Sequence, residues 1–507
     1  MQRNSTWWRW KKLLLCAGLV FMHVMVCHAQ RRDDIHAGFQ AYRQAVMDDY
    51  NRFRKKANED YVAFLRKTWK EYDLMRGMTP HREPKPDVAP EAPAEEDVEI
   101  PQEITVEQPL VPPPAPPAAE PEEEASPEAC VPPAAAGKTV SVSFYGITLR
   151  TPYDMKPVRL REINGQAVAG LWEYFSKTDF LPLLQTLDKC SRENRLNDWA
   201  LYELIACISA HIPELQGAEA QLVFRQFLLV QCGYDVRMGI RGNRPVLLTP
   251  VREKVYACEY LEYQGTAYYI MEDQGAAAGM RIRTMDAPAK AGRKSLTLQL
   301  DQSVHLGYAA HPFTLQYQDF TLKGSLNRYR MDFFKHYPQT ELSVYARATM
   351  DTVLNRQLIR AFREPLAGKN TEEALAWILR FVQYAFDYQT DDKQFGYEKP
   401  FFAEELFHYP FSDCEDRAIL FARLTRNLLN LDVILLDYPN HVAAAVRIDT
   451  DREGYGIRFD NRKYLICDPT YIGGKVGECM SMYKNIVPKV IEMKNAKDIN
   501  QFTFQEL

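Results

Sequence analysis

At 507 residues, 46% hydrophobic and 25% charged, the chain has ordinary globular composition and room for two or three domains. Its formal charge of −5 is unevenly spread: residues 83–137 hold 14 acids against Lys85 alone, while Arg3, Arg9, Lys11 and Lys12 crowd the first dozen residues. The remainder is close to neutral, which excludes the basic footprint of a nucleic-acid-binding protein.

Residues 1–29 read as an export signal. Arg9, Lys11 and Lys12 precede an apolar run, Leu13 to Val26, too short to span a membrane comfortably. Cys27-His28-Ala29 allows cleavage before Gln30, so the expected location is periplasmic, cell-surface or secreted. A lipid anchor on Cys27 is disfavoured because Val24-Met25-Val26 lacks the small residues such a site wants. No later segment approaches ~18 uninterrupted apolar residues, so the mature chain is not expected to cross a membrane. None of the ten cysteines forms a CxxC pair, and neither a metal nor a cofactor is expected.

Residues 30–79 are expected to be one long helix, with Asp33 to Arg76 as its core. Phe39, Tyr42, Val46, Tyr50, Phe53, Ala57, Tyr61 and Phe64 recur at spacings of three and four, opposite a face of Arg and Lys. Such a stripe packs on the protein's own domains or serves self-association, as in a coiled coil, or partner docking. Residues 80–137 carry 16 of the 31 prolines and most of the acidic excess, the composition of an extended, disordered spacer.

From residue 138 the chain reads as globular. Val140, Val142 and Phe144 alternate as in a strand, and helical patterns follow in AVAGLWEYF, FLPLLQTLDKC and NDWALYELIACISAHI. The order then repeats. GAEAQLVFRQFLLVQCGYDV (217–236) lies over DCEDRAILFARLTRNLLNLDV (413–433), and TAYYIMED (266–273) over RKYLICDP (462–469), at an offset of 196 or 197 residues. NDWALYELIACI also aligns with TEEALAWILRFV (371–382). This implies an internal duplication: a first unit over 138–275, a small β segment over 276–335, and a second unit over 336–507. Helices are expected at 341–363 and 371–387.

The second unit carries chemistry the first lacks. Ser412-Asp413-Cys414-Glu415 fits a capping box with Ser412 as N-cap and Glu415 three residues on, which places Cys414 in a helix's first turn. The helix dipole there favours a thiolate, while Asp413, Glu415 and Asp416 oppose it. His441 opens the strand HVAAAVRI, and period two sets it on one face with Ala443 and Ala445, leaving space for that helix to pack close. Asp468 closes the next strand, YLIC, where Pro469 stops the pairing. A cysteine, a histidine and an acid in these places are a nucleophile, its base and the group that orients the base. In the first unit the aligned positions are Ala218, Pro245 or a neighbour, and Glu272, so that unit is degenerate.

The segments DCEDRAILFARLTRNLLNLDV, NHVAAAV and YLICDPTY resemble the core of the transglutaminase-like superfamily of papain-like cysteine enzymes, over roughly 340–490 and more weakly over 150–275. The resemblance implies an α+β fold with helices packed on an antiparallel sheet, and Cys414, His441 and Asp468 as nucleophile, base and orienting acid. It implies a peptide or protein substrate attacked at an amide through a thioester, with hydrolysis favoured over cross-linking. Many members have glycine where Asp413 stands and an aromatic where Ala443 stands. The backbone N–H of Cys414 is the first oxyanion donor on this reading, and the loop residues Tyr397, His408 and Tyr409 are the places to seek a second. The alternative is a catalytically inactive binding or scaffold protein that retains the triad.

Overall fold

A computed structural model describes residues 41–93, 103–106, 137–272, 281–286, 293–449 and 452–493, apart from 43, 47, 68 and 80–84. The export signal, the Cys27 position and most of the acidic spacer lie outside these residues. Among the described residues the protein is mixed α+β with mainly antiparallel sheets, and no helix is long and apolar enough to cross a membrane.

The first helix, α1, is described over residues 41–65 and ends short of the Arg76 that its periodicity suggests. Only its last turns are covered: Tyr61, Val62 and Leu65 join the core, whereas Tyr42 and Phe53 stay 69% and 72% exposed. The expected continuation to Arg76 instead becomes a strand, β1 (Trp69–Asp73). A sheet edge offers this segment backbone partners, and pairing with them outweighs its helical pattern. The indole of Trp69 donates to Leu65 O and closes over Gly165, where a Cβ would run into its ring.

The first unit opens with a hairpin, β3 (Lys138–Phe144) and β4 (Ile147–Tyr153). Four helices follow: α2 (Gly165–Lys177), α3 (Leu181–Glu193), α4 (Asp198–His211) and α5 (Ala218–Gln231). Strands β5 (Arg237–Arg241), β6 (Arg244–Pro250), β7 (Tyr260–Tyr263), β8 (Thr266–Tyr269) and β9 (Arg281–Met285) complete it. The second unit repeats the plan with β10 (Ala310–Tyr317), β11 (Phe320–Asn327), α6 (Arg328–Lys335), α7 (Leu342–Arg347), α8 (Thr352–Leu366) and α9 (Thr371–Ala385). A loop with β12 (Asp387–Tyr388), α10 (Asp391–Gln394) and β13 (Phe411–Ser412) leads to α11 (Cys414–Leu429). Then come β14 (Asp432–Tyr438), β15 (His441–Arg447), β16 (Gly456–Phe459), β17 (Arg462–Cys467) and β18 (Lys489–Glu492).

The strand order β9-β5-β6-β8-β7 of the first sheet is matched by β18-β14-β15-β17-β16 in the second. Helices α3 and α4 pack on β4 and β3, as α8 and α9 pack on β11 and β10. The expected separate β segment at 276–335 is therefore divided: β9 completes the first sheet, and the β10–β11 hairpin packs with the helices of the second unit. Both β7–β8 and β16–β17 turn through two residues of positive φ, Gln264-Gly265 and Asp460-Asn461, the geometry that matches strand twist in a tight hairpin.

The helix expected over 341–363 is two helices. Asp351 caps α8 by accepting from Val353 N and Leu354 N, and the buried Arg423 guanidinium holds the carbonyls of Ala346 and Ala348 in the gap. Part of the expected disordered spacer is also placed on the second unit: residues 85–93 cross it, and β2 (Glu103–Thr105) adds a parallel edge strand to β16.

Candidate active site

Cys414 is the first residue of α11, as its sequence position implies, but the cap lies one residue later than expected. Asp413 is the N-cap, and Asp416 Oδ2 accepts from its N–H. Asp416 Oδ1 also accepts from Phe401 N, so a distant loop selects between two adjacent capping frames. Ser412 Oγ instead accepts from Arg417 Nε at 3.2 Å. Glu415, freed from the cap, turns to the thiol: Cys414 Sγ donates to Glu415 Oε2 at 3.1 Å, with Cys414 only 1% exposed.

His441 and Asp468 meet directly, Nε2 to Oδ2 at 2.7 Å, with both side chains buried. Asp468 Oδ1 accepts from Thr470 N and Tyr471 N, which fixes the carboxylate after Pro469 ends the strand. The imidazole stacks on Tyr483 at 5.2 Å, and Tyr483 Oη donates to Asn440 Oδ1.

The alanine-lined face does not receive α11. Val442, Ala444 and Val446 share the core of α11, whereas Ala443 and Ala445 face a second core with Tyr438, Tyr471 and Tyr483. Gln383 of α9 links helix and dyad by hydrogen bonds to both. Its carbonyl accepts from Arg417 in the first turn of α11, and its Nε2 donates to the carbonyls of Asp468, Tyr471 and Gly474 at 2.8–3.0 Å. Sequence reasoning missed Gln383. A lone glutamine in an apolar helical run was the one available signal.

A buried acidic cage surrounds the thiol. Carboxylate oxygens of Asp391, Asp413 and Asp416, and of Asp391, Glu398 and Glu415, lie within 4.8 Å of one another, an arrangement suited to a cation. Lys85 occupies it: its Nζ lies 2.7 Å from Asp413 Oδ2, 2.5 Å from Glu415 Oε1 and 2.8 Å from Glu398 Oε1. Burial alone would pull the lysine down, but Glu415 and Asp413 hold it well above its usual range. Burial and then Asp416 push Asp391 up to about 9, and burial with Glu415 pushes Asp416 up to about 8. Asp413 is raised too, by burial and Glu415, although it is paired with Lys85.

Of the loop residues considered as oxyanion donors, Tyr397 is exposed, Tyr409 stacks on Phe401, and His408 packs against His311 with its Nδ1 buried and without a hydrogen-bond partner. Tyr438 Oη, on the strand beside His441, is buried without a hydrogen-bond partner. In the first unit Ala218 opens α5 at the place of Cys414, and the hairpin register sets exposed Arg244, not Pro245, opposite His441. Glu272 there is held by Arg225 and Tyr202, each at 2.6 Å. None of the seven described cysteines is in a disulfide.

No protein-family model, curated protein or solved structure matches the chain.

Proposed function

We propose that the second unit is an exported thiol enzyme of transglutaminase-like type, acting on peptide or side-chain amides. The observation that supports this best is the buried 2.7 Å His441–Asp468 pair, tied through Gln383 to the helix that begins with Cys414. Asp468 holds Nε2, which leaves Nδ1 to exchange a proton with the thiol. Cys414 Sγ attacks the amide carbon, the amine departs with the proton carried by His441, and water resolves the thioester. The Cys414 backbone N–H and Tyr438 Oη are the candidate oxyanion donors. The first unit, with the same strand order but Ala218, Arg244 and Glu272, is on this reading a degenerate copy kept for packing or substrate binding.

A second reading, a binding or scaffold protein, is favoured by the thiol's burial and by its hydrogen bond to Glu415. Alkylation of Cys414 by iodoacetamide across pH, in wild type and His441→Ala, separates the two. The enzyme reading expects a thiol that reacts well below pH ~8.5 and loses that reactivity without His441. A thiol reacting only above that pH, indifferent to His441, favours the scaffold.

A further inference from the structure

Residues 85–93 cross the site from one side to the other. Lys85 Nζ pairs with Asp413 and Glu415, the residues on either side of Cys414, and Pro86 O accepts from Tyr388 Oη. Asp87 pairs with Lys393. Farther along, Ile472 N donates to Pro90 O and Ala92 N donates to Ile472 O, both at 2.8 Å, four residues beyond Asp468. One extended stretch therefore spans the nucleophile and the loop of the orienting acid. Beyond Lys85 its described fastenings are light: two backbone hydrogen bonds, one tyrosine hydroxyl and an exposed ion pair that adds little.

The cage is heavier than one lysine needs. Asp413, Glu415 and Glu398 converge on Nζ, with Asp391 and Asp416 behind them, and Asp413 Oδ1 is buried without a hydrogen-bond partner. Gathering more buried acids than cations works against stability, and such arrangements collect at functional sites. One wall of the cage, Glu398, also lines a cavity of about 670 Å³ formed mainly by the second unit, beside Pro439 and Glu341. An ammonium, compact and strongly charged, suits three convergent carboxylates better than a planar guanidinium.

We propose that residues 85–93 are a cis-acting strap over the Cys414 site, and that Lys85 holds in its cage the place of a primary ammonium group of the peptide substrate. This rests on the enzyme reading above. A substrate enters by lifting the strap and replacing Lys85 with its own ammonium. No bond is made or broken in that exchange.

The test is the limiting rate of Cys414 alkylation by iodoacetamide in the full chain, followed by mass spectrometry of the Cys414 peptide. It is taken at the alkaline plateau of each variant's pH profile, where the lost Lys85 charge no longer changes the thiolate fraction and only cover differs. Lys85→Ala is expected to react at least about tenfold faster than wild type, since the thiol loses its cover. Ala92→Pro, which removes the donor to Ile472 O and leaves the cage intact, is expected to react at least about threefold faster. It keeps the question answerable if Lys85→Ala does not fold. Added n-butylammonium should slow the Lys85→Ala reaction back toward wild type, while butyramide should not. Unchanged or slower alkylation in the folded variants overturns the proposal, as does protection by calcium in place of butylammonium. The His441→Ala comparison stands apart. A strap effect without His441 dependence refutes the enzyme reading alone, and His441 dependence without a strap effect refutes the strap alone.

Discussion

Replacing Gln383 by methionine keeps the length of the side chain and removes its amide. The Gln383 Nε2 group supplies two hydrogens to three buried carbonyls, those of Asp468, Tyr471 and Gly474. Tyr471 O keeps Gly474 N as a donor, so the change leaves the carbonyls of Asp468 and Gly474 unmet at about 1–3 kcal/mol each, and a loss centred on about 3 kcal/mol is expected. For a unit of this size that lowers Tm by about 6–12 °C, readable by circular dichroism. The same change frees the loop that starts at Asp468, so the His441-dependent part of Cys414 alkylation should weaken, and substrate turnover should fall in kcat more than in KM. A folded Gln383→Met protein with Tm within about 1 °C of wild type and unchanged His441 dependence would refute the reasoning, because two buried carbonyls would then be satisfied without the amide.

Two further outcomes follow from buried charge. Asp391 and Asp416 titrate near 9 and 8 when folded, against about 4 when unfolded, so the folded state binds more protons between these limits. Their contribution to stability is complete below about pH 4 and is lost as pH rises through 8–9. Tm should therefore fall from pH 5.5 to 8.5 at fixed ionic strength, and Asp391→Asn should shrink that fall; an equal slope in the variant would contradict the assignment. Arg330 is buried with Nε on both oxygens of Glu404, whose carboxyl burial pushes up to about 7 despite the arginine. Arg330→Met should cost about 3–5 kcal/mol in urea unfolding, with much of it recovered in Arg330→Met/Glu404→Gln; a single variant losing under about 1 kcal/mol would argue against a strong pair.

The local signals were legible where one short stretch decides the outcome. Cys414 opens a helix, His441 opens a strand and Asp468 follows one, each from period, cap or proline within a few residues. The constant offset of 196 or 197 residues likewise foreshadowed two sheets of matching strand order. Errors arose where two local answers were nearly equal. Ser412 and Asp413 are both good caps, and Phe401 N chose the frame through Asp416. Residues 69–73 continue a helical pattern, and the open edge at β9 made them a strand.

By itself the sequence determined the kinds of element, their order, and which residues stand at the ends that matter, because helix caps and strand periods are properties of neighbouring residues. Tertiary structure decided which face of β15 meets α11, that Gln383 ties the helix to the Asp468 loop, and that Lys85 enters the cage of Asp413, Glu415 and Glu398. The last contact joins residues 328 and 330 positions apart, out of a segment whose composition reads as a tether. An ion pair of that kind depends on burial and convergence of charge, and neither is written in the local pattern of the chain.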